Sequence, residues 1–335
     1  MAYDKVVDSA SLDSKLTQVA DAIRTKGNTS ADLQFPSGFI SAIQAIQTGT
    51  ELQIIVTVAS GATVTATKGS KVVSGTSVDG TCTLTVPEAG TWSVKATLNG
   101  QTSNTASVSF TDSYALTLSF LKDNFADNDW SAIIAACHSG SVPSTWVVGN
   151  SKTMTINGAS YQVDIIGKNH DTYTAGGKAP LTFQLHDCYA DTKVMNSSDT
   201  NSGGWTSCAM RQTHLPAILA LMPTEVQSGI REVNKLTSAG NQSATINTTA
   251  DKLFLLSEIE IFGSVSNSKS GEGTQYDYYK AGNSRVKNYN GSTYYWWERS
   301  PAGIRSTDFC YVNRAGDASY TNASVALGVA FGFCF

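Results

Sequence analysis

Charge is scarce in this chain. Asp, Glu, Lys and Arg make up 15% of its 335 residues, against roughly 25% in an ordinary globular domain. Ser, Thr, Asn and Gly fill the gap, while 41% of the residues are apolar. That is enough to build cores, so the chain is expected to fold into the low-charge β-structure common on extracellular and virion surfaces. A net charge of −4 provides no basic footprint and argues against a nucleic-acid partner. No apolar run reaches 18 residues, so no membrane span is expected. Met1-Ala2-Tyr3-Asp4 opens without a basic or apolar leader region, so synthesis in a cytoplasm without a signal peptide is expected. The six cysteines, Cys82, Cys137, Cys188, Cys208, Cys310 and Cys334, form no CxxC pair and match no zinc-ribbon spacing. Buried free thiols are expected, with a Cys310–Cys334 bridge left open.

The familiar signatures of catalysis are also missing. His170-Asp171 and His186-Asp187 are adjacent acid–base pairs, but a nucleophile must lie within hydrogen-bond reach of such a base. No Gly-x-Ser-x-Gly elbow supplies one. Structural histidines are the expectation, and no catalytic residue or cofactor is assigned. Asp123, Asp127 and Asp129 lie close together but lack the Gly and late Glu of a calcium loop. They read as a helix-capping run, and no metal is expected.

What is present changes its period along the chain. In residues 1–50, Leu12, Leu16, Val19, Ala20 and Ile23 recur at three- and four-residue steps, predicting a helix capped by Ser9 or Ser11 and stopped at Gly27. A turn over Phe35-Pro36-Ser37-Gly38-Phe39 precedes a second helix carrying Ile40, Ile43 and Ile46 to Gly49. So small a segment cannot bury its own stripe. It is expected to pack on a partner, on copies of itself, or on its own chain. Residues 51–112 turn to period two: Leu52, Ile54, Val56 and Val58 alternate with polar residues, and Asp79-Gly80, Ala89-Gly90 and Asn99-Gly100 mark turns. Strands at that spacing predict a small immunoglobulin-like β-sandwich acting as a spacer. Residues 113–335 are mixed. Asp127 or Asn128 is expected to cap a helix carrying Trp130, Ile133, Ile134 and Cys137. Met154 to Ile166 reads as a hairpin about Asn157-Gly158, Leu215 to Val233 as a helix interrupted at Pro223, and Lys252 to Ser257 as a buried strand. Residues 264–293 read as a long ordered loop. Phe309–Asn313 and Ala318–Tyr320 flank an Arg314-Ala315-Gly316-Asp317 turn, and Val329–Phe335 closes the chain.

Several landmarks recur in order through the last 220 residues. They are Ile165-Ile166-Gly167-Lys168-Asn169-His170-Asp171, Trp205-Thr206-Ser207-Cys208-Ala209-Met210-Arg211, Asp251 to Glu258, Trp296-Trp297-Glu298-Arg299-Ser300-Pro301 and Gly328-Val329. In these the chain resembles a family of phage and prophage proteins with a C-type-lectin-like fold. The N-terminal helices resemble, over about 40 residues, the attachment segment of phage tail proteins from Gram-positive hosts. The resemblance implies a multidomain α+β tail-fibre or receptor-binding protein: attachment helices, sandwich spacer, C-type-lectin-like tip. It further implies a homo-oligomer, a trimer if it follows tail fibres, attached to tail or baseplate proteins through residues 1–50. The tip would face a bacterial surface protein or glycan. Glu-Pro-Asn, Gln-Pro-Asp and Trp-Asn-Asp, the calcium-site triplets of sugar-binding lectins, are absent. Two positions depart from the family pattern: Glu298, where it usually has an apolar residue, and Ala330-Phe331, where it has Arg-Pro.

Some relatives are variable proteins of diversity-generating retroelements, which rewrite adenines, often in Asn codons ending in C. The resulting NNC codons never encode Lys, Glu, Gln, Met or Trp. Residues 1–299 contain 47 residues of those five types, and the 36 residues from Ser300 onward contain none. The earlier frequency predicts about six. A strand-and-turn tail is also naturally poor in Lys and Glu, so diversification and ordinary hairpin surface both remain open.

The candidate sites follow. Trp296 and Trp297 are expected in the core, with Arg299 holding carbonyls or a carboxylate by its forked donors and Pro301 completing the scaffold. The tail from Ala302 onward is expected to be a display surface, with Ile304, Arg305, Thr307, Asp308, Tyr311, Asn313, Arg314, Asp317, Tyr320 and Asn322 as the recognition candidates. Their mix of aromatic, charged and adaptable polar types is that of an antibody-like paratope. Glu298 is expected to pair with Arg299 or to point at the ligand. Two other readings compete: a tail decoration protein without a ligand, and an oxidase of the formylglycine-generating type. The latter shares a related fold and needs a reactive cysteine pair, for which only Cys310 and Cys334 are candidates.

Overall fold

The structure is a computed structural model describing residues 9–27, 30–45, 52–118 and 120–335. It is mixed α+β, mostly strands in several small sheets with few helices. The chain divides into two compact units, residues 1–93 with 107–117 and residues 94–106 with 118–335. Among the described residues no helix is long and apolar enough to cross a membrane.

The first unit begins with helices α1 (Ser9–Gly27) and α2 (Ser37–Ala45). Ala20, Ile23 and Phe39 form their small buried core, with Leu16, Leu33 and Ala42 packed against it. The predicted apolar stripe is wider than this contact. Leu12, Val19, Ile40 and Ile43 are exposed instead, and Phe39, expected in a turn, takes the buried place. Two short helices share a single mutual face, so only the residues on that face are covered. The side chains of Ser9 and Ser11, and Ile46 and Gly49, lie outside the described residues.

Eight strands follow: β1 (Gln53–Thr57), β2 (Thr63–Lys68), β3 (Lys71–Thr76), β4 (Thr81–Thr85), β5 (Gly90–Leu98), β6 (Gln101–Thr102), β7 (Ala106–Phe110) and β8 (Tyr114–Thr117). Within the first unit β1 pairs antiparallel with β4 and parallel with β8, and β2 forms a hairpin with β3. Ile54, Val56, Cys82 and Leu84 are buried while their neighbours face out, the alternation that period two predicts.

The second unit adds α3 (Trp130–Ser139), β9 (Ser151–Ile156), β10 (Ala159–Lys168), β11 (Leu181–Leu185), α4 (Gly204–Ser207), α5 (Leu215–Leu219), α6 (Thr224–Gly229), β12 (Val233–Ser238), β13 (Ile246–Asp251), β14 (Leu253–Phe254), α7 (Glu258–Phe262), α8 (Asp277–Lys280), β15 (Lys287–Tyr289), β16 (Ser292–Tyr294), β17 (Trp296–Pro301), β18 (Asp308–Val312), β19 (Ala318–Asn322) and β20 (Gly332–Cys334). The Asn157-Gly158 hairpin forms as expected, both residues at positive φ. At α3 the cap differs: Asp129 occupies the N-cap position without a side-chain bond. Asn128 instead ties back, accepting from the Lys122 amide and donating to the Lys122 and Asn124 carbonyls.

Three other predicted elements are corrected. Leu215–Val233 is interrupted at Pro223 as expected, but its helices end at Leu219 and Gly229, and Val233 already belongs to a strand. Only Leu253–Phe254 of Lys252–Ser257 is strand; Ser257 caps α7 in a capping box with Glu260. The stretch 264–293 contains α8, β15 and the start of β16.

A five-stranded sheet of the second unit has the order β14-β20-β11-β10-β9. Its interior strand β20 pairs antiparallel with both neighbours, Phe333 opposite Phe183 on one side and Leu253 on the other. Leu327 to Phe335 are all buried. The end of the tail, expected to display a surface, is therefore core. A nine-residue core stretch disfavours Lys, Glu and Gln for burial reasons alone. It contributes to the missing residue types without any rewriting.

Candidate functional site

β17 carries the Trp-Trp-Glu-Arg-Ser-Pro block, and all six of its residues are buried. A regular strand would alternate. Here Trp297 lies opposite Tyr311 and Pro301 opposite Phe309, so four steps on β17 match two on β18. This bulge frees residues 298–300 from the pleat and turns both Glu298 and Arg299 inward. The Trp296 and Trp297 indoles donate to the Arg285 and Lys193 carbonyls at 2.9 and 2.8 Å, so both rings are core as expected.

Arg299 spends its whole fork. Nε and Nη2 donate to the Leu236 carbonyl at 3.1 and 3.0 Å, Nη1 to the Leu255 carbonyl at 2.9 Å, and Nη2 to the Glu272 carbonyl at 2.7 Å. Glu260 receives both Nη1 and Nη2. Lys235 bridges Glu260 at 2.7 Å and Asp171 at 2.8 Å. Asp171 also accepts from Tyr276 and Thr182. Burial alone would raise Asp171, but the Lys235 ammonium overrides it and holds the carboxyl down to about 2. Burial likewise opposes ionisation of Glu260, and Arg299 with Lys235 lowers it. Two cations and two carboxylates thus neutralise one another inside the unit, joining β12, α7 and β17.

Glu298 has no such partner. It is fully buried, and neither carboxyl oxygen finds a hydrogen bond. Burial pushes its carboxyl well above the ordinary range, and nearby Glu258 and Glu272 push it further. It neither pairs with Arg299 nor reaches solvent, so it leaves the set of surface candidates. Asp308 leaves it too, buried and bonded to the Thr307 hydroxyl.

The other candidates gather on the β18–β19 hairpin and the loop before it. Ile304 is 66% exposed. Arg305, Arg314, Asp317 and Asn322 are exposed, while Thr307, Tyr311, Asn313 and Tyr320 are half-buried. Asn313 organises its turn, accepting from the Ala315 and Asp317 amides at 2.8 and 3.0 Å. Arg314 lies 4.7 Å above the Tyr295 ring and 5.7 Å from that of Tyr294, a cation–π seat that fixes its direction.

Several supporting residues carry no local sequence signal. Asn201 donates from Nδ2 to the Arg305 and Asp308 carbonyls, both at 2.7 Å, and accepts from the Asn241 amide at 2.7 Å. Asp199 accepts from Asn322 at 2.8 Å and from Ser324. All but the Asn241 contact span more than a hundred residues, and only a small-polar cluster at 196–201 hints at them. Asn201→Ala is expected to free the 302–308 loop at a cost of about 1–2 kcal/mol, from bonds worth roughly 1 kcal/mol each. Protease nicking confined to that loop, with the global melt little changed, is the readout; equal protection of both proteins would refute it.

The adjacent His-Asp pairs do not pair. His170 stacks on Tyr276 with centroids 4.0 Å apart. His186 bonds to Asp164 at 2.7 Å, whereas Asp187 accepts from Asn288. All six cysteines are free and buried. Burial drives the Cys310 and Cys334 thiols well up, opposite to the direction a reactive thiolate needs. The open question of a Cys310–Cys334 bridge is answered by their separate neighbours: Cys334 approaches Asp171 and Thr182, while Cys310 lies among Glu298, Glu258 and Glu272.

Residues 181–334, from β11 to β20, match a family described as a domain of unknown function, DUF6273. A comparison with curated proteins finds no match. Among solved structures, the chain is similar to a DUF4876 family protein from Bacteroides thetaiotaomicron at 12% identity, covering 78% of this chain and 66% of that one with a TM-score of 0.16. At that TM-score the likeness carries no argument about fold or function.

Proposed function

We propose that this protein is a phage or prophage tail-tip adhesin that reads a bacterial surface ligand, protein or glycan, through its C-terminal unit. In this reading residues 113–335 are a C-type-lectin-like domain, residues 51–112 an immunoglobulin-like spacer, and the protein sits on the virion as a homotrimer. The carrying observation is the β18–β19 hairpin: Tyr311, Asn313, Arg314, Asp317, Tyr320 and Asn322 face outward or lie half-buried beside a fully buried β17. Adaptable side chains on a pre-organised base are what recognition without chemistry requires. The exposed Phe35, Ile40 and Ile43 of the N-terminal helices support attachment or self-association there, and multivalency would convert weak single sites into avidity.

The full chain should bind the envelope fraction of at least one strain in a panel of Gram-positive bacteria. The Arg314→Ala/Tyr320→Ala double variant should lose about tenfold or more in affinity, the scale expected for an Arg and a Tyr anchor, with its melting curve unchanged. No binding to any fraction would overturn the reading. Undiminished binding by a folded double variant would move the site off the hairpin. If the segment is diversified, a near-repeat of its coding sequence beside a reverse transcriptase should differ at adenines. Those differences should concentrate before Leu327, because residues 327–335 are core.

A further inference from the structure

A groove of about 460 Å³ opens beside the start of β10 and the β15–β16 turn, lined among others by Tyr161, Gln162, Asp187, Asn288, Tyr289 and Asn290. None of these belongs to the β18–β19 hairpin. We infer that this groove is a second binding site, for a neutral saccharide unit of a surface glycan.

The argument begins with the composition of the walls. Two tyrosine rings offer flat apolar faces with polar edges. Two Asn, one Gln and one carboxylate offer paired donors and acceptors, the complement of a ring with vicinal hydroxyls. No cation lines the groove. Lys287, next in sequence to Asn288, is buried and gives its ammonium to the Leu185 and His186 carbonyls at 2.7 Å each, beneath the Trp296 ring. A phosphorylated or carboxylated glycan would meet only Asp187, so charge selects a neutral ligand.

The walls are held in place without a ligand. The Asn288 amide donates to Asp187 at 2.7 Å, and Cys188 N donates to the Asn288 carbonyl at 2.9 Å. Tyr161 stacks on Tyr189 with centroids 5.5 Å apart, and its hydroxyl accepts from Ala190 N. Gln162 uses only its oxygen, accepting from Thr153 at 3.2 Å. Its amide nitrogen, with the Tyr289 hydroxyl and the Asn290 side chain, is left for a ligand.

A chain of aromatic contacts links the groove to the hairpin. Tyr289 contacts Tyr294 at 5.0 Å, Tyr294 contacts Tyr295 at 5.8 Å, and Tyr295 contacts Tyr311 at 5.6 Å. A glycan seated in the groove would lead along this ladder to Arg314. Because the groove residues precede Ser300, they stay constant however the later segment is rewritten. The groove then anchors a common sugar while the hairpin sets which strain is bound.

The test is calorimetric titration of the full chain with N,N′,N″-triacetylchitotriose, cellotriose, maltotriose and mannotriose, and with a hyaluronan tetrasaccharide as the anionic counterpart. At least one neutral trisaccharide should bind, and the anionic probe should bind at least about tenfold more weakly. Tyr289→Ala and Gln162→Ala should each weaken the neutral ligand by about three- to tenfold, the scale of one ring face or one hydrogen bond, with unchanged melting curves. Arg314→Ala/Tyr320→Ala should leave trisaccharide binding intact. The inference is overturned if no neutral probe binds at about 10 mM, a Kd too weak to anchor a multivalent tip. It is equally overturned if both folded groove variants bind like wild type, or if the anionic probe binds as well. Envelope binding that survives such a failure, but is lost in the hairpin variant, would leave the adhesin reading standing alone.

Discussion

Arg299→Ala lowers the unfolding free energy of the C-terminal unit by about 3–5 kcal/mol, the usual cost of removing one partner from a buried ion pair. The reason lies in what is left behind. Glu260 loses both guanidinium bonds and keeps only Lys235 and the Ser257 amide. The Leu236 and Leu255 carbonyls lose their Arg299 donors, and the Glu272 carbonyl keeps only the Ser257 hydroxyl. A stability of 5–15 kcal/mol is typical of a native protein, so the loss removes a large fraction of it. Arg299→Lys should recover less than half, because one ammonium has three donors and no planar fork. Denaturant unfolding monitored by tryptophan fluorescence measures both variants. A change of under about 1 kcal/mol for Arg299→Ala would mean that the network is not what joins β12, α7 and β17. Hairpin display depends on the same network, so ligand binding should fall in parallel with the folded fraction and not ahead of it.

The scaffold half of this arrangement was legible in the sequence. Paired tryptophans followed by Arg-Ser-Pro pointed to a buried block, and Asn157-Gly158 and the Arg314–Asp317 turn marked hairpins that formed where expected. The β18–β19 candidates also fell together on one element. Partners distant in the chain were not legible. Nothing near Asn201 announces that it holds carbonyls a hundred residues on. Nor does the His170-Asp171 step reveal that Asp171 belongs to Lys235 and Tyr276. The tail end misled for a related reason. Gly-Val-Ala-Phe-Gly-Phe-Cys-Phe reads equally as a displayed strand or as an interior one. Only pairing with β11 and β14 decides that it is interior. Gly328 shows the same long-range control: a Cβ there would lie 2.5 Å from the Cys188 sulfur and 2.8 Å from the Tyr295 carbonyl, so only glycine fits.

Glu298→Leu is expected to stabilise the protein at neutral pH by about 1–3 kcal/mol, the penalty of a buried polar group without partners. Leucine approximates the volume of the glutamate and removes both orphaned oxygens from a fully buried position. The sign of the pH effect follows from the direction of the shift. Burial, reinforced by Glu258 and Glu272, raises the folded-state value of Glu298 above its unfolded one, so the folded state holds the proton more tightly. Its contribution is least unfavourable below the unfolded value, near about 4.3, and worsens as pH rises, by at most about 1.4 kcal/mol per unit. Other groups titrate in the same range: burial lowers His138, His170 and His214, which favours the folded state as pH rises. They are common to both proteins and cancel in the difference. The gap between Glu298→Leu and wild type should therefore widen as pH rises above the ordinary carboxylate range. Glu298→Gln, which cannot ionise but keeps an unpaired amide, separates the two contributions. It should show the widening gap but a smaller gain than leucine at every pH. Denaturant midpoints of the three proteins at four or five pH values decide it. A gap that stays constant with pH, or a leucine variant less stable than wild type, would mean that Glu298 has found a partner after all.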